Sequence, residues 1–132
     1  MGRDFTNLIG NLYLACAGLS AFICIMRTDY NFTFCLFFYF LWTVKKDQEI
    51  PKILLYGNAA LIIVDILWFT SVGAAWSSLS ETNEVWNSMR GWHFFLIFLS
   101  FLEIVLKAVI CGLLYMTTKR QDDSRTLMLN QQ

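Results

Sequence analysis

Polar positions divide the chain into four apolar runs, at about Phe5 to Met26, Thr28 to Val44, Ile53 to Trp76 and Trp92 to Met116. A helix needs about 20 apolar residues to cross a bilayer, with a usual range of roughly 17 to 25. The first, third and fourth runs meet that length. The second, TDYNFTFCLFFYFLWTV, is marginal and carries Asp29 and Asn31 at its start. A short span, a tilted span and a re-entrant hairpin all remain open for it. The expected fold is an all-α integral membrane protein: an antiparallel four-helix transmembrane bundle over residues 1–118 with a short cytoplasmic tail over 119–132. Three spans are the alternative if the second run does not cross.

Composition agrees with lipid as the solvent. The 132 residues are 57% hydrophobic and 15% charged, where a soluble domain is about 45–50% apolar and about 25% charged. Twelve phenylalanines and five tryptophans exceed what so small a soluble core hides. The net charge is zero and no basic, aromatic-studded patch occurs, which argues against nucleic acid as a partner.

The placement of positive charge orients the spans. Four spans collect Arg3, Lys45, Lys46, Lys52, Lys119, Arg120 and Arg125 on one side and leave only Arg27 and Arg90 on the other. Lysine and arginine favour the cytoplasmic side, so both termini are expected in the cytoplasm. Three spans distribute the same charges with less bias. ACA at Ala15–Ala17 resembles a signal-peptide cleavage site. Asn7 and Asn11 interrupt the would-be apolar core, however, and a retained span is the better reading. MGRDFT fits a myristoylation pattern, but a helix that enters the membrane at once gains little from a second anchor. Pro51 suits the first turn of the third helix, and Trp76, Trp86 and Trp92 mark an interface with His93.

Ionisable residues inside apolar runs carry the candidate chemistry. Asp65 stands in ALIIVDILWF, with no other charge between Lys52 and Glu81. It lies roughly 18 Å in from Ile53, while Lys107 lies roughly 14 Å and Glu103 about 20 Å in from Met116. The three share one layer. A lone charge there costs at least about 2.5–3.5 kcal/mol. Pairing Asp65 with Lys107 removes most of the reason for that cost, and Glu103 sits one turn from Lys107. With all three ionised the layer carries an excess negative charge that a low dielectric disfavours. Asn58, two turns before Asp65, is placed to hydrogen-bond to the same polar core. The layer reads first as a buried ion pair that fixes helix register, and second as a proton or ion pathway.

Other candidates are weaker. Cys16, Cys24, Cys35 and Cys111 form no CxxC pair and have no neighbouring histidine, so no metal site is expected. Cys16, Ser20 and Cys24, with Ala17 and Ala21, make a small-residue face suited to close helix packing. The only histidine is His93, no phosphate-binding glycine loop occurs, and neither catalysis nor a cofactor is expected. Asn31-Phe32-Thr33 is a glycosylation sequon at the edge of a span, where Asn31 reads better as a helix cap. Asp123, Leu127 and Met128 approximate an acidic dileucine sorting signal.

Taken together, Asn31-Phe32-Thr33, Leu41-Trp42-Thr43-Val44, Asp47, Asp65-Ile66, Leu106-Lys107, Cys111, Tyr115 and Lys119-Arg120 give the chain a pattern that resembles the angiotensin II type-1 receptor-associated protein family. The resemblance covers about Asn7 to Arg120. It implies a small multi-pass protein of endoplasmic reticulum, Golgi and endocytic vesicles that binds a receptor and modulates its trafficking and signalling. It also implies three spans, and so parts from the charge count at the second run. The expected role is a non-catalytic membrane adaptor whose partners are another membrane protein, a second copy of the chain and the lipid bilayer. A structural subunit of a large membrane complex is the runner-up, and a proton or ion pathway component the third reading.

Overall fold

A computed structural model describes residues 2–25, 28–45, 47–77 and 82–129, the side chains of 2–4 and 77 excepted. Arg27, Lys46 and the side chain of Arg3, which entered the charge count, lie outside the described residues, as do residues 78–81. Five helices follow in order: α1 (Gly2–Ile23), α2 (Asn31–Val44), α3 (Ile50–Ser77), α4 (Glu84–Ser88) and α5 (Arg90–Leu129). No strand occurs among the described residues. Three helices, α1, α3 and α5, are long and apolar enough to cross a membrane.

Helix ends follow local chemistry. Asp29 Oδ1 accepts the backbone N–H of Asn31 at 3.3 Å as α2 begins. Asp47 Oδ1 likewise accepts from Glu49 N–H at 3.2 Å before α3, and Pro51 occupies its first turn. Asn83 caps α4 by accepting the Trp86 N–H at 3.0 Å. The last apolar run ends at Met116, yet α5 continues to Leu129 and so includes most of the polar tail. At 40 residues it is about 60 Å long. No proline or glycine interrupts the segment after Gly112.

The helices pack antiparallel in two pairs. α3 lies along α5, from Lys52 beside Asp122 at one end to Trp76 beside His93 at the other. α1 lies along α2, with the Trp42 indole donating to the Thr6 carbonyl at 2.8 Å and Tyr13 meeting Phe38 edge-on. α1 also packs on α5, and α2 on α3. Gly57 allows the last contact, because a Cβ there would meet the tip of the Phe38 ring at 2.9 Å.

α1, α2, α3 and α5 each turn one stripe inward. On α1 it is Ile9, Tyr13, Cys16, Ala17, Ser20 and Ile23, and on α3 Leu54, Asn58, Leu61 and Asp65. On α5 the spacing of three and four runs from Leu96 through Glu103, Lys107, Ile110 and Leu114. The small-residue face of α1 is only half used, since Cys16, Ala17 and Ser20 are buried while Ala21 and Cys24 are exposed. Apolar side chains cover the outside as well, Ile63, Leu67, Phe98 and Phe101 among them. That arrangement suits lipid on the outer surface.

α2 has 14 residues, about 21 Å, and falls about 9 Å short of a typical hydrocarbon core. Its C-terminal end is level with the start of α1, and its N-terminal end stops at the depth of Ser20, Asp65 and Glu103.

Candidate functional site

Four helices bring polar groups to that depth. On α3 and α5, Lys107 donates to Asp65 Oδ2 at 2.5 Å and stands 3.8 Å from Glu103 Oε1. Lys107 is fully enclosed, and Asp65 and Glu103 are buried beside it. The i,i+4 step on α5 places Glu103 and Lys107 on one face, and antiparallel seating of α3 brings Asp65 opposite them.

The start of α2 completes the layer. Asn31 Nδ2 donates to Asp65 Oδ1 at 2.9 Å and to Glu103 Oε2 at 3.4 Å. The Tyr30 hydroxyl donates to the same Asp65 oxygen at 2.8 Å. Asp29, also buried, accepts from the Ser20 hydroxyl at 2.6 Å and so ties α1 to the start of α2. Asn31 therefore bridges both halves, its backbone N–H turned to Asp29 and its amide to Asp65 and Glu103.

Among the described residues the layer holds three carboxyl groups, Asp29, Asp65 and Glu103, and one ammonium, Lys107. Two features offset this imbalance. Asp65 receives donors from Lys107, Asn31 and Tyr30, bonds that are stronger when the acceptor is charged. The N-terminal end of α2, the positive end of its dipole, also faces the carboxyl groups, and its first N–H is taken by Asp29. Asp65 is anchored from both sides, by Lys107 on one oxygen and by Asn31 and Tyr30 on the other. The Asn31 Oδ1, Asn58 Oδ1 and Tyr13 hydroxyl atoms are buried nearby without a hydrogen-bond partner among the described residues.

Asp65, Glu103 and Lys107 come together, and Asn58 lies one layer closer to the loop ends of the bundle. Its amide donates to the Lys107 carbonyl at 2.8 Å and to Cys111 Sγ at 3.2 Å, so it steadies the α5 backbone beneath the ammonium and does not meet the carboxyl groups. Asn31 differs from the cap expected of it. Tyr30 holds the cap position without a side-chain capping bond, its hydroxyl being turned to Asp65, and the Asn31 side chain reaches across to α3 and α5. Asp123, Leu127 and Met128 lie far from this layer, exposed on the last turns of α5. His93 stacks between Trp76 and Trp86, with ring centroids at 4.8 Å and 4.4 Å, and pins α4 to the α3–α5 seam.

Ser20, Asp29 and Tyr30 are the members of the layer that sequence reading passed over. The signal for Asp29 and Tyr30 was a cluster of polar residues, TDYN, in front of an aromatic run too short to span, while Ser20 stood out only as part of the small-residue face of α1. Comparison with protein-family models, with curated proteins and with solved structures finds no match.

Proposed function

We propose that the chain is a four-pass integral membrane protein with both termini in the cytoplasm. In this reading it is a non-catalytic adaptor that binds another membrane protein and modulates its trafficking or signalling within the endomembrane system. The receptor-trafficking content comes from the resemblance to the angiotensin II type-1 receptor-associated protein family. The four-pass content rests on the sidedness of lysine and arginine and on the antiparallel seating of α2 against α1.

One observation carries the adaptor reading. α5 leaves the apolar region without breaking and forms a helical ledge, held to the start of α3 by Lys52–Asp122 at 3.0 Å and Arg125–Glu49 at 3.8 Å. At its tip Leu127, Met128 and Leu129 are about two-thirds exposed on an otherwise polar segment. An apolar tip on a charged ledge at the cytoplasmic surface is a docking element for a protein partner. The buried layer serves the same end by fixing α2, α3 and α5 in one register, so that the ledge is presented at a set angle.

Purification of the tagged full chain from its own cells in gentle detergent, with mass spectrometry of co-purifying proteins, tests this. A receptor or endocytic and Golgi components in variable amount, lost from a Leu127→Ser, Met128→Ser variant, is the expected result. A fixed set of subunits from one large assembly would overturn it and make the chain a structural component.

A further inference from the structure

The seam between α1 and α5 opens into a groove of about 170 Å³ near the charged end of the molecule. Phe5, Leu113 and Met116 give it an apolar wall, and Thr6, Thr117, Arg120 and Gln121 a polar mouth. The order along α5 matters. Leu113 and Met116 close the apolar segment, and Arg120 follows one turn later, about 6 Å further out. A groove that is oily on its membrane side and cationic just beyond it has the polarity of a phospholipid.

We propose that this groove binds one anionic glycerophospholipid, with its phosphate on Arg120 and the upper part of an acyl chain along Phe5, Leu113 and Met116. Charge complementarity selects the occupant. Lys52 and Arg125 are engaged by Asp122 and Glu49, whereas Arg120 is in no ion pair among the described residues. Its neighbour Lys119, also exposed, adds to the local positive potential. Gln121, at the polar mouth, has a buried Oε1 without a hydrogen-bond partner among the described residues. A planar guanidinium matches phosphate oxygens two at a time, and the net negative charge of an anionic headgroup adds an attraction to Arg120 and Lys119 that a zwitterionic headgroup lacks. The volume holds a short length of chain, so the rest of the lipid lies along the outer faces of α1 and α5, where Met116 is exposed.

The proposal requires membrane insertion and does not depend on the adaptor role. Its test uses the full chain reconstituted in nanodiscs of phosphatidylcholine with phosphatidylserine, then native mass spectrometry of the lipids that stay bound. Wild type is expected to retain one phosphatidylserine in preference to phosphatidylcholine. Arg120→Gln is expected to lower that preference about fivefold, the effect of one cation near a membrane surface. Leu113→Trp, which fills the groove and leaves Arg120 in place, is expected to remove retention of both lipids. Circular dichroism keeps these losses distinct from unfolding. Equal retention of the two lipids by wild type, or undiminished preference in Arg120→Gln, would overturn the proposal alone. A chain that fails to float with liposomes would overturn the membrane reading and this proposal with it.

Discussion

At the scale of single residues, the buried layer sets the sign of several substitutions. Lys107→Met removes the only cation facing Asp65 and Glu103 among the described residues and should cost about 3–5 kcal/mol, as breaking a buried pair from one side does. Replacing both partners, Asp65→Leu with Lys107→Met, should cost less than Lys107→Met alone. Thermal unfolding in detergent, arranged as a double-mutant cycle, measures the difference. A double-variant loss equal to the sum of the two single-variant losses would show that the pair is not coupled. Asn31→Asp should be worse than Asn31→Ala, because it replaces a donor by a fourth carboxyl in the layer, facing Asp65 and Glu103. The burial of Asn31 also predicts that its sequon stays unmodified in the folded chain, so glycosidase treatment should leave mobility on a gel unchanged. Asp65, Glu103 and Lys107 were legible in the sequence because a charge inside an apolar run has few explanations and helical rise gives its depth. Asn31 was not, since an asparagine at a helix start has a commonplace role as a cap. Its true partners lie 34 and 72 residues away.

Among the elements, three helices could be read from run length, and their inward stripes from the spacing of three and four. The reach of α5 to Leu129 could not. Hydropathy marks where lipid ends, whereas a helix continues until its propensity fails, and TTKRQDDSRTLML contains no breaker. The brevity of α2 follows from Asp29 and Asn31, which start the helix within the polar layer instead of at a membrane surface. Close seating of α2 on α3 depends on Gly57, where a Cβ would strike the Phe38 ring, while nothing lies within 4 Å of a Cβ at Gly18. Gly57→Ala is therefore expected to destabilise by about 1–3 kcal/mol. Gly18→Ala should be neutral or stabilising by up to about 1 kcal/mol. The order of their unfolding midpoints checks the assignment.

For the molecule as a whole, the ledge should be separable from the core. Its two ion pairs are exposed and contribute little to stability. Glu49→Gln with Asp122→Asn should leave the unfolding midpoint nearly unchanged while raising hydrogen exchange over 118–129, which mass spectrometry reads directly. The core is held differently, by a layer whose members come from widely separated parts of the chain. Asp65 and Lys107 are 42 residues apart, so at about 5–20 residues per second the ribosome makes the lysine roughly 2–8 s after the aspartate. Tyr30 and Asn31 precede Asp65 on the nascent chain, and their bonds to Asp65 are available as soon as α3 enters the bilayer. The short helix is thus placed to shield a carboxylate from lipid until its counter-charge has been synthesised.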